Sequence, residues 1–527
     1  KYGMKIMVAL LTGHMSFENI IPDALTNLNI AADPVAVRWE IRYVKYLVSR
    51  FRNIDNIIAW DLGNEIENLQ IGNTKDEFYV WTMTLANTIK ACDATRPIAS
   101  GVGNFRITQG FPNLLDMREC CDINTVHAYN IFETPTEPVN SMKSVLDNIF
   151  KCRLSEDIGK MPAFLQEFGA IGYANCSLKT ESEFYRVCVL STLAHGFSGA
   201  MYWCAFDQGQ FTFPPYDWNN IGSDYGFFDK DLKIKPIAEE NIRLKSLLNI
   251  VGENLPEYKT NCTIIAAREE REFQKDILRA TYILAKRANL EPRFTYMADK
   301  LPETDIYILP SVKYDKAITN TRLLEILKRV EAGATFYVSL DKAYFRCLAE
   351  LSGVCINNRV DENRETVIKL GDVKLPIATS VRYDITEGIS EVLAYDIDGT
   401  PMFVKNKYGN GNIYVLFAPA EECAANKSGA FYKDTAPDFE EIYKCFANNT
   451  RDKKLSYCDN RFINCTEHYM DDGSIFIFAI NYSHKKQSAN ITLNGEYNLE
   501  AVWGNGFNDG AVILDACDGI LLKAIKK

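Results

Sequence analysis

From residue 1 to about residue 245 the chain alternates apolar strand and amphipathic helix six times, about 35 residues per unit. That rhythm leaves few folds open. Strands read at 5–11, 57–65, 97–102, 122–129, 162–169 and 199–206. Helices read at 34–51, 75–92, 140–152 and 181–195. Pro34 stands in the first turn of its helix, where a missing N–H costs nothing. Strands joined by crossover helices run parallel, and helices must cover them. In a parallel barrel, functional side chains gather where the strands end.

Two strand ends stand out. The stretch Ile57-Ile58-Ala59-Trp60-Asp61-Leu62-Gly63-Asn64-Glu65 is an apolar strand that delivers Asn and Glu side by side. Further on, Pro162-Ala163-Phe164-Leu165-Gln166-Glu167-Phe168-Gly169 also ends in a carboxylate and a glycine. Two carboxylates on two strand tips can face each other across a sugar, which is the arrangement that glycoside hydrolysis needs. Close like charges drive their pKa values apart, so one can attack while the other donates a proton. Asp61 and Gln166 read as side chains that hydrogen-bond within the barrel rather than act on a substrate.

The remainder reads as a linker at 246–260, a second α/β pattern, and a strand-rich tail. The second pattern has strands at 262–267, 293–297, 305–309 and 335–340, with helices at 270–289, 319–331 and 342–352. No Gly-rich phosphate loop joins strand to helix. Short strands are expected over 365–420, with Tyr408-Gly409-Asn410-Gly411 as a hairpin turn, and a helix over 435–449. Turn signals from 455 onward suggest a small β-sandwich.

A net charge of −11 and a pI near 5.3 argue against nucleic acid or an anionic membrane as partner. No apolar run approaches the roughly 20 residues of a membrane span. The 15 cysteines include no C-x-x-C pair, which argues against structural zinc. They read mostly as buried thiols of a reducing compartment, which favours the cytoplasm, although the N-terminus gives no targeting information.

The residues Trp60, Gly63-Asn64-Glu65, His127-Ala128-Tyr129, Gln166-Glu167-Phe168-Gly169 and Trp203 resemble the (β/α)8-barrel retaining glycosidases of clan A, above all glycoside hydrolase family 5. They would fall at the ends of barrel strands four, six, seven and eight. The expectation is therefore a barrel whose strands one and two lie before residue 1. His14-Met15-Ser16 looks similar to a loop after strand three in some members. The middle region is similar to the amidotransferase-like domain of family 42 β-galactosidases, which mediates trimer formation there.

The pattern and the resemblance together give three domains: a barrel at 1–248, a Rossmann-like α/β domain at 258–452 and a β-sandwich at 455–527. The resemblance itself implies Glu167 as nucleophile and Glu65 as acid/base. Asn64 would bind the sugar 2-OH, His127 and His14 other hydroxyls, and Trp203 would lie under the sugar. Tyr129 would hold Glu167 anionic. No metal or cofactor is implied. The implied partner is a β-linked oligosaccharide or polysaccharide, with a homo-oligomer through the middle domain. A catalytically inactive carbohydrate-binding or scaffold protein on the same fold stays open as the alternative.

Overall fold

The computed structural model describes residues 3–15, 18–69, 74–218, 224–252, 255–268 and 274–527. The chain forms two compact units. One comprises Lys1–Glu133, Asn148–Tyr185 and Phe197–Arg243, and the other Thr134–Asp147, Arg186–Gly196 and Leu244–Lys527.

The first unit is built on strands β1 (Ile6–Leu11), β2 (Ile57–Gly63), β3 (Ile98–Ala99), β4 (Asn124–Tyr129), β5 (Ala163–Gly169) and β6 (Ala200–Tyr202). Parallel ladders run β1-β2-β3 and β4-β5-β6, and a parallel bridge from Ala99 to Ile123 joins the two sets. Crossover helices include α1 (Pro34–Phe51), α2 (Lys75–Cys92) and α3 (Leu114–Cys120). Asp33 caps α1 by accepting from the Val35 amide at 2.8 Å. Thr74 and Glu77 close a reciprocal capping box on α2. Phe78, Trp81, Leu85 and Ile89 of α2 are buried. Arg96 ties the start of β2 in place, donating to the carbonyls of Ile57, Arg52 and Ile54.

The strand expected over 97–102 is only two residues long. Gly101 takes φ +66° and turns the chain out of the ladder. Among the described residues, no strand pairs with the outer edge of β1 or of β6. Beside β1 lies a groove of about 860 Å³, lined in part by Leu10, Ile20, Trp39, Glu40, Tyr43 and Trp81.

The second unit holds a nine-stranded sheet. Its parallel half is ordered Pro292–Tyr296, Cys262–Ala266, Ile306–Val312, Thr335–Leu340, Gly411–Leu416. An antiparallel half continues through Pro401–Tyr408, Glu391–Asp396, Cys355–Leu370 and Val373–Thr386. The expected hairpin is present, with Tyr408 opposite Gly411. Two expectations need correction. Strand structure begins at Cys355 and forms long strands rather than short ones. The stretch Arg359-Val360-Asp361-Glu362 is partly or fully exposed, so it shows no apolar alternation to read. The expected linker at 246–260 begins inside a helix, Pro236–Val251, whose Leu247 and Val251 are buried.

The tail forms two four-stranded sheets around a core that includes Ile463, Ile477, Val512, Leu514 and Leu522. Among the described residues, no helix is long and apolar enough to cross a membrane.

Candidate active site

Strand β2 ends where Gly63 packs against its neighbours. A Cβ there would lie 2.4 Å from the Leu11 carbonyl oxygen and 2.7 Å from Ile66 Cγ2, so only glycine fits. The chain then reverses. Glu65 adopts φ +46°, ψ +51°, the left-handed region that a glutamate rarely takes. Buried Ile66 pins the turn by donating its amide to the Gly101 carbonyl at 3.1 Å. These contacts turn the Glu65 side chain toward β4.

Across the β4–β5 ladder, His127 stands directly opposite Glu167, and Tyr129 opposite Gly169. His127 Nδ1 lies 2.9 Å from Glu65 Oε1 and 3.5 Å from Glu167 Oε2. One oxygen of each glutamate and this nitrogen all lie within 4.8 Å of one another. Tyr129 donates its hydroxyl to Glu167 Oε2 at 2.7 Å. His14 Nε2 is 3.6 Å from Glu65 Oε2, and Asn68 donates to that same oxygen at 3.1 Å. Asn64 donates its amide to the His14 carbonyl at 3.0 Å.

Five of the seven expected residues, Glu65, Glu167, His127, Tyr129 and His14, therefore meet in one cluster, with Asn64 bracing its edge. Trp203 follows β6 and is partly buried. Its backbone amide donates to the Phe168 carbonyl, and its own carbonyl lies against Gly169. Asp207 on the following loop is a brace, accepting from the Gly226 amide and the Lys235 ammonium.

Burial depresses the proton affinity of the His127 ring. The charge of Glu167, the bond and charge of Glu65 and the Gln166 bond outweigh that and raise its pKa to about 10. Burial pushes Glu65 up, but the His127 bond and charge, then His14 and Asn68, hold it below the usual carboxylate range. Glu167 is held above that range, chiefly by burial, with the His127 charge opposing and the Glu65 charge adding. In the free site the charged imidazole thus favours an ionised Glu65. Tyr129 stays protonated, because burial and the charge of Glu167 both raise it.

Two residues escaped the sequence reading. Glu67 accepts the amides of Gly103 and Asn104 at 2.9 and 2.7 Å, and burial with the Glu65 charge pushes it up to about 7. Gly103 lets the backbone approach the cluster. A Cβ there would lie 3.0–3.2 Å from Glu67 Oε1, His127 Nδ1 and Glu65 Oε1. The only sequence signal for either was proximity to a strand end.

Glu65, His127 and Glu167 could also hold a divalent cation. An ion at Nδ1 would have to displace the proton that lies between His127 and Glu65.

No family model and no curated protein matches the chain. Solved structures do. The exo-β-1,4-mannosidase Op5Man5 from Opitutaceae bacterium strain TAV5 is 17% identical, with 80% of this chain and 79% of that one covered at a TM-score of 0.67. The β-galactosidase from Bacillus circulans sp. alkalophilus is 12% identical, with coverage of 93% and 82% and a TM-score of 0.68. A catalytic mutant of Gan42B, a GH42 β-galactosidase from G. stearothermophilus, is 12% identical, with coverage of 98% and 85% and a TM-score of 0.67. The chain shares the fold of these proteins.

Proposed function

We propose that a chain with this fold acts as a retaining β-glycosidase. It would hydrolyse β-linked glycans or oligosaccharides, β-mannosides or β-glucosides first and β-galactosides next. The observation that carries the reading is the Glu65–His127–Glu167 cluster with Tyr129 on Glu167. Oxygens of the two glutamates come within 4.8 Å. Retaining pairs sit about 5–5.5 Å apart, and inverting pairs at roughly 6.5–9.5 Å. That an exo-β-1,4-mannosidase and β-galactosidases share the fold supports the substrate class.

Glu167 attacks the anomeric carbon, and Glu65 protonates the leaving oxygen and later deprotonates water. The free-site charges look unfavourable for this order, since they ionise Glu65. The missing proton is one bond away, on His127 Nδ1. As Glu167 forms its bond to carbon it loses the negative charge that most favours the imidazolium. His127 then releases its proton toward Glu65 at the moment the leaving oxygen needs it. Tyr129 stabilises the anionic nucleophile before attack. Asn64, His14 and Trp203 are assigned to sugar contacts. The reaction so drawn uses no cofactor. We assign the chemistry to residues 1–248 and self-association to 258–452, with 455–527 as an accessory sandwich.

The test is a panel of nitrophenyl β-mannoside, β-glucoside and β-galactoside. Glu167→Ala should abolish turnover, and azide should restore some of it as the α-glycosyl azide. An α-azide from Glu65→Ala instead would reverse the two roles. Saturable sugar binding with no turnover on any member would favour the inactive binding protein.

A further inference from the structure

We propose that Asp61 and Gln166 form a buried positioning chain that fixes a proton on His127 Nε2, leaving Nδ1 as the only ring nitrogen able to exchange a proton with Glu65. The inference rests on the glycosidase reading for its kinetic consequence and on geometry for its existence.

Asp61 lies on β2, four residues before Glu65, and is fully buried. Its Oδ1 accepts the Gly63 amide at 3.3 Å, and its Oδ2 accepts from Gln166 Nε2. Burial pushes the Asp61 carboxyl up to about 6, so at pH 7 and above it is ionised and only accepts, which gives the Gln166 amide one orientation, nitrogen toward Asp61. The same nitrogen lies 3.2 Å from Met7 Sδ, a second weak acceptor. Gln166 therefore offers His127 its oxygen, Oε1 at 3.1 Å from Nε2. A carbonyl oxygen cannot donate, so Nε2 carries a hydrogen in either charge state of the ring.

One mobile proton is left between Nδ1 and Glu65 Oε1, 2.9 Å apart. It rests as imidazolium with carboxylate or as neutral imidazole with carboxylic acid. In the first step, carbon gains a bond to Glu167 and loses the leaving oxygen, which keeps the electron pair. That oxygen takes the proton from Glu65, which is refilled from Nδ1. In the second step water gives a proton back to the pair, hydroxide adds to carbon, and Glu167 departs as carboxylate. The opposite neutral tautomer, with hydrogen on Nδ1, could only donate to Glu65 and would leave no acceptor for this exchange. The chain thus decides whether the acid/base can be recharged.

The experiment uses Asp61→Asn in the full chain. Asparagine can donate to Gln166, whose amide then turns and presents nitrogen to Nε2, which reverses the tautomer. For phenyl β-glycosides, whose leaving group needs a proton, kcat/KM should fall about 10²-fold, the scale of a lost general acid. For dinitrophenyl β-glycosides, whose leaving group departs unassisted, it should change by less than about 3-fold on the same argument. A loss equal for both substrates overturns the proposal. Nitrogen-15 spectra of histidine-labelled protein give a readout independent of turnover, because the chain has five histidines. His127 of the wild type should show a protonated Nε2, moving to Nδ1 in Asp61→Asn. An unprotonated Nε2 in the wild type overturns the proposal even if the enzyme is active. A wild type with the expected tautomer but no hydrolysis overturns the glycosidase reading instead.

Discussion

Replacing Glu40 by glutamine should make the first unit more resistant to unfolding, and increasingly so as pH rises. Glu40 sits on α1 with 8% exposure, and its Oε2 accepts the Trp81 indole N–H at 2.8 Å. Burial pushes its pKa from the ordinary 4.5 up to about 7, and the Trp81 bond opposes this only in part. The folded form therefore binds this proton more tightly than the unfolded form does. Stability is unaffected below about pH 4.5, declines as pH climbs through 4.5–7, and stays lowered above. The full cost is about 2.5 × 1.36, or ~3 kcal/mol, and linkage places ~2.5 kcal/mol of it between pH 5 and pH 9. Because the groove beside Glu40 admits some water, these figures are ceilings. Glutamine keeps a carbonyl oxygen for Trp81 and carries no charge. Urea unfolding followed by tryptophan emission is the assay, since five of the six tryptophans lie in the first unit. The advantage of Glu40→Gln over wild type should grow by roughly 2 kcal/mol from pH 5 to pH 9. A difference that stays flat, or that shrinks with pH, refutes the argument that the carboxylate is held ionised at a cost.

Tyr129→Phe removes the hydroxyl that donates to Glu167 Oε2, a bond to a charged group worth about 1.5–3 kcal/mol. The expected result is a kcat/KM for aryl β-glycosides lowered roughly 10–100-fold, with a melting temperature lower by several degrees, since the same bond is present in the free fold. Gly103→Ala places a methyl 3.0–3.2 Å from atoms of Glu67, His127 and Glu65. Turnover should fall at least about tenfold, since misplacement of about 1 Å near the chemistry is enough for larger losses. In the second unit, Lys286 is buried, with its ammonium on Glu291 and 2.8 Å from His195 Nε2. Lys286→Met should destabilise that unit by about 3 kcal/mol in calorimetry, the low end for a broken buried pair, because Lys454 still reaches Glu291 at 3.3 Å.

Much of the first unit was legible because period and burial agree in it. The stretch 57–65 is apolar up to Trp60, and Ile57–Gly63 is a strand with almost every residue buried. The helices read at about 34–51 and 75–92 are Pro34–Phe51 and Lys75–Cys92; Pro34 marked the first start, while the Thr74–Glu77 box that fixes the second went unread. That Glu65 and Glu167 would meet was read from their strand ends, while His127 and Tyr129 entered through the family resemblance. What could not be read was what lies between strand ends. Glu67 joins the site because a turn carries it onto the amides of Gly103 and Asn104, a pairing across 36 residues that no period encodes. The ionisation order was also invisible, because it depends on His127 lying closer to Glu65 than to Glu167. The long strands from Cys355 hid for a different reason. Exposed charged residues leave no alternation where one strand of a pair projects into water.

The left-handed backbone at Glu65 has a consequence for any attempt to harden this protein. A side chain held there costs the fold about 1–2 kcal/mol that glycine would return. Selection for heat tolerance alone should therefore enrich glycine or asparagine at position 65 and yield sturdier molecules that have lost the carboxylate. Thermostability screens of this chain need a second filter for turnover, because at this position ruggedness and catalysis draw on opposite residues.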